Sequence, residues 1–193
     1  MSAIPPLQMS VDAVSGRLDP ATSFVTRRLS DMRGMFADAD AEAALIDGED
    51  PVVYRVFQYD VPEETGQLLV CTTVIEPGRV GDEYFMTKGH YHLVRDRAEV
   101  YYGLRGEGQI VMMSEDGQCS SIEIRPGLVA YVPPFYAHRT VNTGSAELVF
   151  LAVYPGDAGH DYATIEQTGF PLRILRRQGS PALVAPEASG ERR

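Results

Sequence analysis

The sequence is poor in cysteine and in long apolar runs. Only Cys71 and Cys119 occur among its 193 residues, too few and too far apart for a disulfide framework or a thiolate zinc site. The longest apolar run is about the length of Leu148 to Tyr154, which is much shorter than a membrane-spanning helix requires. The first residues also lack the basic start and apolar core of a secretion signal. These absences predict a protein of the reducing cytoplasm that does not associate with membranes.

Positive charge is also scarce. Lysine and arginine number 17 against 27 aspartates and glutamates, which gives a formal net charge of -10. Such a chain repels nucleic acid and anionic lipid at long range, so we predict no nucleic acid partner. A phosphorylated small molecule is still allowed, because a metal ion and a few local donors outweigh the distant field. Four basic residues cluster around the motifs described below, namely Lys88, Arg95, Arg97 and Arg139. They either attract a phosphate group or simply lie on the exposed rim of the β-barrel that is predicted below.

The chain divides into three parts. Residues 1–48 are predicted to be an arm with one short helix packing on the barrel, since Phe36 to Ile46 is rich in alanine and acidic residues and is followed by Asp47-Gly48. Residues 49–174 contain short runs such as VVYRVFQY, LLVCTTVIE and LVFLAVY, separated by turn signals. Many short strands without intervening helices predict an all-β fold, an antiparallel barrel or sandwich. Residues 175–193 are polar and are predicted to be a mobile tail.

Three of the four histidines stand in a pattern that strands can use to bind a metal. His90 and His92 are two residues apart, so both face the same side of a strand. Glu99 follows after six residues, enough for a turn and a return along the neighbouring strand, and His138 comes last. Each residue alone has an ordinary structural explanation. Together, three imidazoles and a carboxylate predict one divalent metal with one or two open positions, which is typical of a catalytic site.

The same stretches resemble the two cupin motifs. HYHLVRDRAEVYYGLRG contains the histidine pair, the glutamate and then Gly106, and GLVAYVPPFYAHRTVN contains Gly127, Pro133, His138 and Asn142 at the spacing of the second motif. Two departures stand out. Six residues separate the second histidine from the glutamate, where cupins in general have three or four, and Phe135 stands where the second motif usually has glycine.

The longer spacing and the segments TTV, TKGHYH, DRAEVY and YPGDAGHDYATI are typical of one cupin branch. Over about residues 27–170 the sequence resembles the archaeal-type cupin glucose-6-phosphate isomerases. The resemblance implies a single-domain jelly-roll barrel that interconverts glucose 6-phosphate and fructose 6-phosphate as a homodimer. It implies one divalent metal per chain, with iron(II) favoured and zinc, manganese or nickel also compatible. The roles that it implies are metal binding by His90, His92, Glu99 and His138; catalysis by Glu99, His138, Tyr154 and His160; and substrate binding by Thr73, Thr87, Gly89, Tyr101 and Tyr162.

Several alternatives stay open from the sequence. Strand alternation from His90 places Lys88 rather than Thr87 on the inner face, unless Gly89 marks a bulge. Glu99 either shuttles a proton through an enediolate or only binds the metal while a hydride shifts, because a carboxylate bound to a dication is a poor base. Cupin dioxygenases or decarboxylases use the same ligands, and a non-catalytic sugar-binding module is a further reading.

Overall fold

The computed structural model describes residues 4–185 and is built mostly of β-strands, which confirms the all-β prediction. A short 3₁₀ turn spans Leu29–Met32, and the two helices are α1 (Ala39–Gly48) and α2 (Tyr162–Thr168). Neither helix has the length and apolar character needed to cross a membrane. The strands of the described range are β1 (Ser10–Val11), β2 (Leu18–Asp19), β3 (Ser23–Arg28), β4 (Val52–Tyr59), β5 (Leu68–Ile75), β6 (Arg79–Val80), β7 (Glu83–Tyr84), β8 (Glu99–Arg105), β9 (Gly108–Ser114), β10 (Cys119–Ile124), β11 (Val129–Val132), β12 (Tyr136–Asn142), β13 (Leu148–Pro155), β14 (Arg173–Arg177) and β15 (Ser180–Val184).

Two antiparallel sheets form the body of the barrel. One has six strands in the order β11-β8-β13-β5-β4-β3, and the other has three in the order β10-β9-β12. Strand β8 shows the expected alternation, since Glu99, Tyr101 and Gly103 are buried while Val100 and Tyr102 are exposed. The residues that point inward therefore include the predicted site residues Glu99 and Tyr101 as well as residues of the apolar core.

A single apolar cluster fills the space between the sheets. Leu148 and Phe150 on β13, Ile110 on β9 and Ile75 on β5 are almost fully buried in it. Burying a side chain of this size stabilises the fold by about 1.5–3 kcal/mol. Because such interiors are close-packed, the strands that carry the polar site have little freedom to shift.

The N-terminal part is more regular than the arm with one short helix that we expected. Strand β3 pairs with β4 at the edge of the six-stranded sheet, with Phe24 opposite Phe57. The helix of this part begins at Ala39, because the side chain of Asp38 accepts a hydrogen bond from the backbone N–H of Ala41 at 2.9 Å. The expected short helix is thus present, shifted by two or three residues.

The structure also contains a second helix and a hairpin that we did not expect. Helix α2 is capped by Asp161, whose side chain accepts from the backbone N–H of Thr164 at 3.1 Å. Strands β14 and β15 are joined by Gln178 and Gly179, both with positive φ, which is the two-residue turn of tight hairpins. Paired strands thus continue to residue 184, where the prediction was a tail. Residues 186–193 lie outside the described range, and the three-part division stays a prediction.

Candidate active site

The three predicted histidines and Glu99 converge at one point inside the barrel. His90 and His138 lie side by side on neighbouring backbone segments, where each N–H donates to the carbonyl of the other at 3.1 and 3.0 Å. Their ring centroids are 4.5 Å apart. One ligand atom from each of His90, His92, Glu99 and His138 lies within 4.8 Å of all the others. Alternation along a strand and pairing between strands therefore bring four distant residues together.

The atoms of this cluster fit a divalent metal ion. The Nε2 atoms of His90 and His138 are buried and make no hydrogen bond, although His138 Nε2 lies 2.9 Å from Glu99 Oε2 without hydrogen-bond geometry. His92 Nδ1 lies 2.8 Å from the carbonyl oxygen of Arg97, an arrangement that orients Nε2 toward the cluster. Leaving buried polar atoms without partners costs free energy, and a bound cation would supply their partner. The group could hold one metal ion, and its donors suit iron, manganese, nickel and zinc.

Burial and mutual contacts set the charge of the cluster. Burial, assisted by the neighbouring imidazoles, holds the pKa of His90 well below its ordinary value, so His90 is a neutral donor at neutral pH. Burial also acts to raise the pKa of Glu99, but the contacts with His138 and His92 outweigh it and lower that pKa to about 2. For His92, burial lowers the pKa and the Glu99 carboxylate raises it, with a net rise. The Glu99 carboxylate therefore favours the protonated form of His92 in the metal-free protein.

The cluster forms one side of an open cavity, whose empty space of about 740 Å³ includes part of the surrounding solvent. The lining includes every residue predicted to act in catalysis or to bind substrate, namely Thr73, Thr87, Gly89, Glu99, Tyr101, His138, Tyr154, His160 and Tyr162. The structure thus places the predicted residues around one space, and their separate roles stay predictions.

Neutral aromatic side chains form the wall beside the cluster. The ring of His160 lies 4.4 Å from that of His90 and stacks on Tyr162 at 5.5 Å. Burial lowers the pKa of His160 and raises the pKa of Tyr154 and Tyr162, so all three are uncharged at neutral pH. They can exchange hydrogen bonds with sugar hydroxyls without adding charge near the metal.

Gly89 decides which of its neighbours reach the cavity. Its φ is 76°, and a Cβ at this position would lie 2.8 Å from Arg139 Cβ and 2.8 Å from Phe170 Cε2. This backbone geometry interrupts simple alternation, and both Thr87 and Lys88 line the cavity. The choice between them that the sequence left open therefore does not arise. Phe135 has a φ of 69°, a value that explains why glycine is usual at that position.

The four basic residues near the motifs do not act together. Lys88 lines the cavity and pairs with Glu166 of α2 at 3.3 Å. Arg95 and Arg97 instead form ion pairs with aspartates at 2.6 and 2.8 Å. Arg139 is buried behind the site, where it donates to the carbonyl of Lys88 at 2.7 Å. Of the four, only Lys88 is placed to meet a ligand in the cavity.

The structure adds cavity residues that sequence reasoning missed. They come from two neighbouring strands of the six-stranded sheet: Val25 and Arg27 on β3, and Tyr54, Val56 and Gln58 on β4. All are spaced by two residues, so strand alternation could have found them once the pairing of β3 with β4 was known. No local motif marks that pairing.

A solved structure of oxalate oxidase, a cupin, resembles this fold. It superposes with a TM-score of 0.50 over 61% of this chain and 58% of that chain, at 16% identity. At that identity the likeness shows the fold alone. The predicted cupin fold is thereby confirmed.

Comparison of the sequence identifies much nearer relatives. A family model described as glucose-6-phosphate isomerase (GPI) matches residues 26–180. A glucose-6-phosphate isomerase of Pyrococcus horikoshii is 48% identical over 179 residues, which cover 93% of this chain and 94% of that protein. One from Thermococcus litoralis is 47% identical over 174 residues, 90% of this chain and 91% of the other. A putative glucose-6-phosphate isomerase 2 of Rhizobium meliloti is 39% identical over 185 residues, 94% of this chain and 92% of the other. With a family match over most of its length and relatives that align almost end to end, this chain belongs to the glucose-6-phosphate isomerase family.

Proposed function

We propose that this chain is a metal-dependent aldose–ketose isomerase that interconverts glucose 6-phosphate and fructose 6-phosphate, a step of glycolysis and gluconeogenesis. The observation that carries the proposal is the buried group of three histidines and one glutamate beside a cavity whose lining includes neutral hydroxyl and imidazole groups. Isomerisation moves hydrogen between carbons 1 and 2 of the sugar. The hydrogen beside a carbonyl is a weak acid, so the site must polarise the carbonyl and present a base.

The residues of the cluster divide these two tasks. A divalent ion, iron(II) by preference with zinc, manganese or nickel as alternatives, supplies Lewis-acid polarisation of the carbonyl when bound. His90, His92, His138 and Glu99 would hold it, and Glu99 Oε2 faces two of the imidazoles at 3.2 and 2.9 Å. The other oxygen, Oε1, has no hydrogen bond to any described residue. It is therefore available to accept the proton from one carbon and return it to the next.

The surrounding residues position the sugar and its oxygens. Tyr154 and His160, both neutral, lie against the histidine cluster and serve the exchange of protons between the two sugar oxygens. Tyr101 packs edge-on against His138 at 5.9 Å, where its hydroxyl is assigned to binding the sugar. The phosphate end is bound by hydroxyl and backbone donors away from the cluster, which we assign to Thr73, Thr87, Gly89 and Tyr162.

The proposal is tested by an assay that couples glucose 6-phosphate, formed from fructose 6-phosphate, to its oxidation by a dehydrogenase. We expect the purified protein to be active, a chelator to abolish the activity, and added iron(II), manganese, nickel or zinc to restore it to different extents. Elemental analysis of the untreated protein identifies the resident metal. Absence of activity with every metal overturns the proposal, and oxygen consumption with a candidate acid substrate would favour a cupin oxygenase instead.

We also propose that the protein is a homodimer. The resemblance implies it, and the outer side of the six-stranded sheet supports it with an exposed apolar patch formed by Val100 and Tyr102 on β8 and Val129 and Tyr131 on β11. Val129 and Tyr131 are 67% and 55% exposed. Contiguous patches of this kind mark interfaces. Light scattering should give twice the chain mass for the wild type and the chain mass for Tyr131→Glu; a monomeric wild type contradicts the proposal.

The proposed location is the cytoplasm. Both cysteines of the chain are free thiols in the structure, in keeping with a reducing compartment. Fractionation of the source cells, followed by detection with an antibody, tests it. Recovery with the membranes or outside the cell would contradict it.

A further inference from the structure

The cavity contains one basic residue that no carboxylate neutralises. Lys88 is paired with Glu166 at 3.3 Å. Arg27, which also lines the cavity, forms no ion pair with any residue in the range 4–185 that the structure describes. Its side chain is half-buried on an edge strand. A half-buried guanidinium without an acidic partner is an available site for an anion.

Arg27 is held close to two cavity hydroxyls. In the sheet it stands directly opposite Tyr54 of β4. Burial raises the pKa of Tyr54 and of Tyr162, and the positive charge of Arg27 acts against that rise in both. The guanidinium therefore lies within the field of both phenols, with neutral donors beside it.

The charges of the cavity lining favour a ligand whose anionic group lies near Arg27 and Lys88. Among the described residues that line the cavity, Glu99 is the only carboxylate, and its Oε2 already contacts His92 and His138. The remaining charges, Arg27 and Lys88, are positive in a chain whose formal net charge is -10. A planar guanidinium donates two parallel hydrogen bonds to a phosphate, which an ammonium cannot do.

We propose that Arg27, supplied by the N-terminal strand β3, is the residue that selects a phosphorylated sugar over the same sugar without phosphate. The proposal rests on the proposed isomerase function and assigns its substrate specificity. Arg27 binds the phosphate dianion, while Lys88 is shared between the phosphate and Glu166. Because the phosphate does not change during the reaction, Arg27 contributes binding that is equal in the ground state and the transition state.

The test compares Arg27→Gln, Arg27→Lys and the control Arg28→Gln. Arg28 is the next residue of the same strand, but it is exposed, bonds to the carbonyl of Asp50 and does not line the cavity. For Arg27→Gln we expect the KM for fructose 6-phosphate to rise about 10- to 100-fold, the effect of losing a charged hydrogen bond. The kcat should stay within about threefold, as for uniform binding. Activity on fructose itself should not change, and Arg27→Lys should fall between the wild type and Arg27→Gln.

A second readout does not depend on catalysis. Titration of the chelated, metal-free protein with inorganic phosphate in a calorimeter should show weaker binding by Arg27→Gln than by the wild type and Arg28→Gln. An unchanged KM and unchanged phosphate binding overturn the proposal, as does an equal loss in Arg28→Gln. An inactive wild type would refute the isomerase function, and the phosphate titration would still decide on Arg27. If the unfolding temperature of Arg27→Gln differs from that of the wild type, Arg27→Lys supplies the comparison.

Discussion

Replacing Glu99 by glutamine tests the division of roles within the metal cluster. The substitution keeps the size of the side chain and one oxygen for the metal, but it removes the charge and the base. Since positioned acid–base groups contribute about 10²- to 10⁴-fold to rates, we expect kcat of the metal-loaded variant to fall by that factor. Steady-state assays of the coupled reaction, run at saturating metal, measure the loss.

Metal affinity must be separated from chemistry in this variant. Glu99 is 3% exposed and contacts two imidazoles, so its charge acts with little screening by water. Loss of one charged contact corresponds to about 1.5–3 kcal/mol, or a roughly 10- to 100-fold weaker metal complex. Part of this loss is offset, because the raised pKa of His92 depends on Glu99 and a proton no longer competes as strongly. A metal titration of the variant therefore precedes the rate measurement.

The control is Glu147→Gln, which removes a carboxylate that pairs with Arg105 at 2.9 Å outside the cavity. Its activity and metal content should match the wild type. If metal-loaded Glu99→Gln keeps a kcat within about threefold of the wild type, the base assignment is refuted. Full retention of deuterium from carbon 2 in product formed in ordinary water would likewise refute the proton route and indicate a hydride shift.

Three further experiments test the metal site and the residues that shape the cavity around it. The pKa of His92 is raised, so at pH 6.5, the ordinary pKa of histidine, His92 is more than half protonated without metal. Zinc binding at this pH should therefore release a proton. Calorimetry in two buffers of different ionisation enthalpy detects the release, and equal heats in both buffers contradict the pairing of His92 with Glu99. Gly89→Ala should lower the free energy of unfolding by about 1–3 kcal/mol through strain and overlap, more than the control Gly117→Ala, whose φ is also positive but whose Cβ would meet nothing within 4 Å. Phe150→Ala, at 2% exposure, should cost about 3–5 kcal/mol in denaturant unfolding, and a cost below about 1 kcal/mol would show that it does not support the cavity.

The metal half of the site could be predicted because its geometry is encoded over short distances. His90 and His92 face one side through strand alternation alone, and Glu99 follows after a single turn. His138 joins them because β12 runs beside the segment containing His90, as the backbone bonds between the two residues show. Family resemblance supplied the remaining cavity residues.

Other elements had local signals that went unused. Helix α2 is preceded by Asp161 and followed by Gly169, the usual cap residues at the start and end of a helix. The β14–β15 hairpin has Gln178-Gly179 between two short β-prone runs. The prediction followed the polar composition of these segments and therefore missed both elements. Tertiary packing, rather than composition, decides whether a short polar strand pairs.

The cationic part of the cavity has no comparable local signal. Arg27 reaches it only because β3 pairs with β4, and that pairing joins residues about thirty positions apart through backbone bonds that any sequence can make. The strand itself reads as SFVTRR, whose two arginines look equivalent. Only the register, which places Arg27 opposite Tyr54 and turns Arg28 outward after a bulge, distinguishes them. A motif search therefore finds the metal ligands and overlooks the residue that we assign to phosphate selection. Substitution of Arg27, but not of Arg28, should alter substrate preference while leaving metal binding intact.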